Sequence, residues 1–273
     1  MVEHLYHFTT IESLIGMLSN YSEKNPYMTF WATHIRFLND SSEYKYGLQL
    51  CMEYLQKYKE DFLPEGVGIS LTSTERPIDT KSDSYVISFT NVCDIAAMWA
   101  MYAKNGAGIA LVFNKAKLKA LEDCSKLTMT PCIYPANEDE LLTYRESLKE
   151  TYKVNYNKWA DNKQVVSRET LRVTLSMHST MRPFFSIIKN PSFEYENEER
   201  LICEDNKLPK YRFSNGHLCP YKEIRIPTNA LQGVVLGPTL TSDLDKAALQ
   251  SYLVDKGLKD LSNNISVSKV PYR

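Results

Sequence analysis

The sequence predicts an α+β fold that carries one helical insertion. Short strand-like runs and short amphipathic helices alternate along most of the chain, which indicates a mixed fold. Residues 137–189 differ, because they are rich in Glu, Lys, Leu and Arg and contain no glycine or proline before Pro183. We therefore expect a single α+β domain over residues 1–273 with a helical insertion at about 137–189.

The composition is that of a globular protein with no overall electrostatic attraction to nucleic acid or membrane, although a local basic groove remains possible. The chain has 273 residues, 43% of them hydrophobic and 24% charged, and a net charge of −1. No apolar run is long enough to span a bilayer, and the first residues lack the pattern of a secretory signal. Six cysteines are scattered without a C-x-x-C pair, as in reduced proteins. These features predict a cytoplasmic protein without a membrane partner.

The first elements place a histidine at a strand end. Residues 3–8 predict a strand, and Thr9 with Glu12 has the spacing of a capping box at the start of a helix. His7 is then expected where the strand meets the helix N-terminus. One histidine in such a place is usually a hydrogen-bonded core or turn residue, so a functional role requires other residues to converge on it.

The remaining elements follow from the same patterns. Residues 28–38 predict a strand with an irregular end, after which Asn39 and Asp40 are placed to cap a helix that begins near Glu43. Further strands are predicted at 85–90, 108–113, 128–134, 193–203, 221–227, 233–238 and 265–270, and further helices at 95–104, 115–123 and 241–256. Residues 63–84 predict a surface loop.

The acidic stretch at 193–203 offers the best candidate for chemistry. In a strand, Glu194, Glu196, Glu198 and Arg200 would share one face, because side chains alternate. Glu196 and Glu198 could then act as acid and base or stabilise a developing cation, as in reactions at an anomeric carbon. The same pattern also fits a solvated edge strand protected by charges.

Other catalytic motifs are weak in this sequence. The five histidines show neither H-x-x-x-H nor H-E-x-x-H spacing, so no metal site is predicted. No nucleophile signature surrounds a cysteine. Gly106-Ala-Gly108 lacks the Lys-Ser/Thr that completes a phosphate-binding loop.

Six blocks occur in a fixed order and carry a family resemblance. They are Leu5-Tyr-His-Phe-Thr-Thr, Leu38-Asn-Asp-Ser-Ser-Glu43, Ser88-Phe-Thr, Met98-Trp-Ala-Met-Tyr-Ala-Lys-Asn-Gly-Ala-Gly108, Lys189 with Phe193-x-x-Glu-x-Glu-x-Arg200, and Val235-Leu-Gly-Pro238. Together they resemble a bacterial family of unknown function that is found in many uncharacterised and defence-associated proteins. That family in turn resembles the ADP-ribosyltransferase fold, through the opening Tyr-His-Phe-Thr and the late Glu-x-Glu.

The resemblance implies a split, mostly antiparallel sheet that binds NAD as a substrate. Glu198 would bind the 2′-hydroxyl of the nicotinamide ribose and stabilise the oxocarbenium ion, and Glu196 would orient or activate the acceptor. The implied cofactor-binding residues are His7 and Thr9 at the adenosine-side ribose, Tyr44 or Tyr102 stacked on nicotinamide, Arg200 at the carboxylates or the pyrophosphate, and Ser88 and Asn39 within the matched blocks.

The resulting hypothesis is ADP-ribose transfer to a nucleic-acid or protein acceptor, or NAD hydrolysis, in a defence or toxin effector. One alternative is a non-catalytic module that senses a nucleotide or a phage component. Another is an interaction protein that forms oligomers or binds partners through residues 137–189. A third is a metal-dependent nuclease in which Asp40, Glu43, Glu196 and Glu198 converge.

Overall fold

The computed structural model describes residues 3–38, 42–58, 78–81, 83–122, 126–146, 184–214 and 216–271. Within these residues, ten strands form one sheet. The strands are β1 (His4–Thr9), β2 (Tyr27–His34), β3 (Tyr85–Thr90), β4 (Ile109–Asn114), β5 (Leu127–Pro131), β6 (Glu198–Cys203), β7 (Lys210–Ser214), β8 (His217–Pro227), β9 (Leu231–Leu236) and β10 (Ile265–Val267). The helices are α1 (Ile11–Met17), α2 (Glu43–Lys57), α3 (Ala96–Tyr102), α4 (Lys115–Lys119), α5 (Asp243–Asp255) and α6 (Lys259–Ser262).

The sheet divides at β3. The strand order is β10-β9-β4-β1-β3-β2-β8-β7, with β6 and then β5 attached to β3. One edge of β3 pairs fully with β6. The other edge is shared, because Val86 pairs with Thr33 of β2 and Thr90 pairs with Tyr6 of β1. Ser88 lies between these two pairings, so β1 and β2 separate there. All pairings are antiparallel except β9 with β10.

The two faces of the sheet have different coverings. One face carries the main hydrophobic core, in which Phe30, Phe89 and Phe113 pack with Leu14 of α1 and Leu253 of α5. The opposite face is covered in two separate places. Near β1 and β4, α3 packs through Trp99, and near Val86 of β3, α2 packs through Leu48 and Tyr54. Between these two places, Ser88 of β3 lies on the second face and lines the cavity described below.

Most of the predicted strands and helices are confirmed, with shifted ends. The predicted capping box at Thr9 is wrong, because Thr10 is the N-cap of α1 and its side chain accepts from the backbone amide of Ser13. The predicted strand at 28–38 ends at His34 and continues as a 3₁₀ turn, Ile35–Phe37. Asn39 and Asp40, and most of the predicted loop at 63–84, lie outside the described residues.

The predicted strand over 193–203 is wrong in its first half. Pro191–Glu196 form a 3₁₀ helix, and β6 begins only at Glu198. Proline fixes a helix-compatible φ, and the Asn190 side chain accepts from the amide of Ser192 at the helix start. Asn197 then has a φ of 41°, a left-handed conformation that interrupts both a helix and a strand. The predicted four-residue acidic face therefore does not form, and Glu194 is exposed.

Only the ends of the predicted helical insertion are described. Residues Glu138–Tyr144 form a 3₁₀ helix that Asn137 caps. Ile188 is not helical, since it forms a parallel bridge with Ile133. Residues 147–183 lie outside the described residues.

The architecture is thus mixed α+β with a mostly antiparallel sheet and several helices. In the described part of the chain, no helix combines the length and apolar character that crossing a membrane requires.

Candidate functional site

A cavity of about 960 Å³ lies at the gap between β1 and β2, and residues from both faces of the sheet line it, including Phe30 of the main core and Arg200 on the other face. Its wall includes His7 of β1, Ser88 of β3 and Glu198 of β6, which lie far apart in the sequence. Ligand-binding cavities commonly have this size and combine apolar walls with a few polar groups. The cavity is therefore the candidate functional site of the described residues.

The strand register explains why the charged residues face this cavity. Thr90 pairs with Glu198, and Ser88 pairs with Arg200, so these side chains share one face of the β3–β6 ladder. Glu199 points to the opposite face, where it accepts a 2.6 Å hydrogen bond from Lys115. The side chains of Glu198 and Glu199, which are neighbours on β6, therefore lie on opposite faces of the sheet.

Arg200 joins β6 to α2 inside the protein. Its side chain is almost fully buried, at 1% exposure. Nε donates to Oε1 of Glu198 at 2.8 Å, Nη1 donates to the carbonyl of Ser186 at 2.6 Å, and Nη2 contacts the carboxylate of Glu43. Arg200 is therefore fixed by three partners from different elements.

Lys189 brings the two candidate catalytic carboxylates together. Its Nζ lies 2.5 Å from Oε2 of Glu196 and 2.6 Å from Oε2 of Glu198. The other oxygen of Glu196 accepts from the hydroxyl of Tyr102 at 2.8 Å. All four residues line the cavity. Glu196 and Glu198 thus meet through a shared ammonium group, although Glu196 is not on the strand.

The charges in this cluster shift the pKa values in opposite directions. Burial opposes ionisation of Glu198, but Arg200 and Lys189 lower the pKa of its carboxyl group to about 2. Burial of Glu43 is the main cause of a raised pKa, which the charge of Glu198 raises further against the effect of Arg200. Burial also raises the pKa of Tyr102, and Glu196 raises it further. Glu198 is thus ionised at neutral pH, and Tyr102 keeps its proton.

His7 closes the gap between β1 and β2. Its Nδ1 lies 2.8 Å from the carbonyl oxygen of Ser88, on the stretch of β3 that neither strand pairs. A carbonyl only accepts, so Nδ1 carries the proton. Burial lowers the pKa of His7, against the raising effect of this bond, so the ring is neutral at pH 7 and Nε2 is left with a lone pair. An unprotonated Nε2 accepts hydrogen bonds and does not donate them. The ring itself packs against the main core, with its centre 5.3 Å from that of Phe30 and 5.8 Å from that of Phe89.

Some of the other predicted site residues line the cavity, and others do not. Thr9 and Ser88 line the cavity together with Tyr102. Tyr44 instead packs in the cluster around α2, with its ring edge-on to Phe185 and the guanidinium of Arg36 4.6 Å from its centroid. It is not part of the cavity wall. Asn39 lies outside the described residues.

Three residues of the site were not predicted as site residues from the sequence. Lys189 and Phe193 line the cavity, and the Lys189 ammonium lies 5.3 Å from the centre of the Phe193 ring. Glu43 also lines it, and was considered only as a metal ligand or a helix cap. Lys189 and Phe193 belong to one of the ordered sequence blocks, which was the available signal. Their proximity to the carboxylates depends on the 3₁₀ helix Pro191–Glu196. The alternating charges of this stretch predicted a strand, so the helix was not expected from the sequence.

Two basic side chains oppose metal binding at the carboxylates that the nuclease alternative requires. Glu43, Glu196 and Glu198 do converge, but Lys189 and Arg200 occupy the space between their carboxylates. A divalent cation would have to displace these ammonium and guanidinium groups. Within the described residues, no group of three His, Cys, Asp or Glu side chains is arranged to hold a metal ion. Asp40 lies outside those residues.

Comparison with known proteins gives one match. A domain described as "Protein of unknown function (DUF2971)" is found at residues 98–201. No curated protein and no solved structure matches the chain. The matched segment contains Tyr102, Lys189, Glu196, Glu198 and Arg200 but neither His7 nor Glu43. The predicted resemblance to a family of unknown function is thus confirmed over this segment. The segment contributes most of the charged cluster of the site, which consists of Glu43, Lys189, Glu196, Glu198 and Arg200.

Proposed function

We propose that the cavity binds NAD and that the protein cleaves the bond between nicotinamide and ribose, transferring ADP-ribose to an acceptor or to water. The observation that carries this proposal is that His7 and Glu198, the two residues that the ADP-ribosyltransferase resemblance pairs, line one cavity. The volume of about 960 Å³ is in the range for a ligand of this size.

The electrostatics of Glu198 fit a reaction that develops positive charge. Cleavage at an anomeric carbon passes through a state that resembles an oxocarbenium ion, and a fixed carboxylate stabilises it. Arg200 and Lys189 lower the pKa of Glu198 to about 2, so it is charged at every physiological pH. Its position is fixed before substrate arrives, which avoids reorganisation during the reaction.

Glu196 and His7 complete the assignment. Glu196 is held by Tyr102 and Lys189 at the cavity wall, where it would orient the acceptor and take its proton. His7 presents an acceptor nitrogen to a ribose hydroxyl. In the reaction, the C1′–N bond breaks and nicotinamide leaves with the electron pair. The acceptor bonds to C1′ and loses a proton, which balances the charges.

The direct test is nicotinamide release from NAD by wild type, Glu198→Gln and Glu199→Gln. Glutamine keeps the shape of glutamate and removes its charge, so Glu198→Gln is expected to lower the rate roughly 10²- to 10³-fold. Glu199 is the matched control, because it is a buried, ion-paired glutamate of the same strand that faces away from the cavity. Glu199→Gln is expected to retain activity.

Two results would contradict the proposal. The first is wild type that neither binds NAD nor releases nicotinamide with protein, DNA, RNA or water as acceptor. The second is a rate that is equal in wild type and Glu198→Gln. A proper comparison requires both variants to be folded, which circular dichroism verifies.

A second candidate function is recognition of a nucleotide without chemistry. Both carboxylate oxygens of Glu198 already accept hydrogen bonds from Lys189 and Arg200, which leaves them less available to a substrate. A thermal shift with NAD or ADP-ribose, together with the absence of turnover, would favour this alternative over the catalytic one.

A further inference from the structure

One end of the cavity is formed by an exposed aromatic and basic sheet face. Trp31 of β2 is 49% exposed, although it lines the cavity. Its ring lies 4.8 Å from that of Tyr221 on β8, centre to centre. The guanidinium of Arg212 on β7 lies 5.4 Å from the Trp31 ring centre and 5.7 Å from that of Tyr221. A planar cation thus covers two aromatic rings at the cavity's edge.

Arg212 is held in this position rather than extended into solvent. Its Nη2 donates to Oγ1 of Thr33 at 2.8 Å, which draws the side chain across β8 to β2. Its Nε is buried and has no hydrogen-bond partner among the described residues. This nitrogen is not accessible to a ligand, so the contribution of Arg212 to binding is the positive charge that it fixes beside the two aromatic rings.

The same face continues beyond the cavity with alternating aromatic and basic groups. Tyr27, 38% exposed, lies on the Trp31 side of β2, roughly 13 Å along the strand. Arg225 of β8 pairs with Thr29, between the two aromatic residues, and is exposed. Lys210 of β7 shares this face and forms an ion pair with Glu223 at 2.7 Å. The described residues therefore give this face an excess of positive charge.

We propose that this face, defined by Tyr27, Trp31, Arg212 and Arg225, binds single-stranded nucleic acid and presents it to the cavity as the acceptor. Unpaired bases stack on aromatic side chains, while interleaved cations follow the phosphates. Tryptophan, tyrosine and arginine also occur in protein interfaces, and the acidic peptide in the test below represents that alternative. Duplex DNA keeps its bases stacked within the helix, out of reach of Trp31.

The position of the face relative to the carboxylates supports the acceptor role. Thr33 pairs with Val86 of β3, and Val86 lies on the face that carries Ser88, two residues along. Ser88 in turn pairs with Arg200 of the charged cluster. Trp31 and Glu198 are thus on one side of one sheet and in one cavity wall. A base that reaches C1′ of ribose there would bond through a ring nitrogen or an exocyclic oxygen and lose a ring N–H proton, while the C1′–N bond breaks and nicotinamide leaves with the electron pair.

The acceptor role rests on the proposed function, but nucleic-acid binding does not, so the test measures binding first. Fluorescence anisotropy follows a short labelled single strand, as DNA and as RNA, with its duplex and an acidic peptide as comparisons. Wild type is expected to bind the single strand more tightly than either comparison. Trp31→Ala is expected to weaken binding roughly 5- to 100-fold, the effect of losing one stacked base.

Two further variants separate stacking from charge. Arg225→Ala is expected to reduce the slope of log affinity against log salt by about 0.7, the effect of one phosphate contact on a single strand. Phe213→Ala is the matched control, because Phe213 neighbours Arg212 on β7, points to the opposite face and is 79% exposed. It is expected to bind as wild type does.

The outcomes distinguish this inference from the proposed function. Equal affinity for the duplex or the peptide, or an unchanged affinity in Trp31→Ala, overturns the inference. Wild type that releases nicotinamide without binding the single strand also overturns it, while the proposed function stands. Wild type that binds the strand through Trp31 but never releases nicotinamide overturns the proposed function and leaves the nucleic-acid site.

Discussion

The ammonium group of Lys189 lies 2.6 Å from a carboxylate oxygen of Glu198, and both side chains are 5% exposed. The same ammonium contacts Glu196 at 2.5 Å. Two buried carboxylates repel each other unless a cation lies between them. Lys189 therefore determines whether the two candidate catalytic groups can occupy one cavity, although it lies outside β6.

Replacing Lys189 with methionine should destabilise the protein. Glu196 and Glu198 would stay buried without their shared partner, and breaking a buried ion pair costs about 3–5 kcal/mol. Urea denaturation measures this change in the free energy of unfolding. Lys104→Met is the control, since its pair with Glu12 is exposed at 61% and 69% and is expected to contribute little. A Lys189→Met variant as stable as Lys104→Met would contradict the assigned role.

Glu198 should make the protein less stable in acid. Its pKa falls from 4.5 in the unfolded chain to about 2 in the folded protein. A lowered carboxyl pKa contributes stability above the unfolded value and loses that contribution as the pH falls through the folded value. The free energy of unfolding of wild type should therefore decrease between pH 4.5 and about 2. In Glu198→Gln, a pH scan of urea unfolding should show a shallower decrease, whereas an identical slope would refute the assigned pKa.

Glu43 should have the opposite pH dependence. Burial raises its pKa above 4.5, so the folded state holds a proton that the unfolded state releases. This contribution is complete below pH 4.5 and disappears as the pH rises through the folded pKa. Glu43→Gln should consequently gain stability relative to wild type as the pH rises. Glu53→Gln, at an exposed position of the same helix, is expected to follow wild type, and parallel curves for all three proteins would rule out the raised pKa.

Tyr102 should support Glu196 through its hydroxyl. Tyr102→Phe removes the 2.8 Å hydrogen bond and retains the ring. A hydrogen bond to a charged group contributes about 1.5–3 kcal/mol, so the melting temperature and the free energy of unfolding should both fall. Tyr195→Phe is the control, because that hydroxyl contacts only the sulfur of Met101 among the described residues and the side chain is exposed. Equal effects in the two variants would contradict the bond to Glu196.

His7 should contribute to NAD affinity without changing the charge of the site. His7→Leu removes the Nε2 acceptor, so the dissociation constant for NAD should rise about fivefold, the effect of one hydrogen bond of about 1 kcal/mol. Isothermal titration calorimetry measures it. His4→Leu, on the opposite face of β1, serves as the control. Unchanged affinity in folded His7→Leu would remove His7 from the proposed site.

The sequence by itself determined the mixed fold and most of its strands. Tyr85–Thr90 and Ile109–Asn114 are apolar, rich in β-branched and aromatic residues, and nearly continuous runs of this kind fit strands buried on both faces. The helix at Asp243–Asp255 was likewise predicted, and Gly257 follows it with the positive φ of 80° that glycine accommodates. In these segments the local preference and the tertiary environment agree.

Only the tertiary structure decided how the site is assembled. The alternating charges at 194–200 predicted a continuous strand, but Pro191 and the left-handed Asn197 break it, a local backbone effect that a side-chain pattern does not report. The strand register then places Ser88 opposite Arg200, and the gap between β1 and β2 admits His7. Pairing between distant strands depends on the packing of the whole sheet. The sequence could therefore name Glu196 and Glu198, and Glu43 as a possible metal ligand beside them. The role of Lys189 as their shared ion-pair partner emerged only from the folded arrangement.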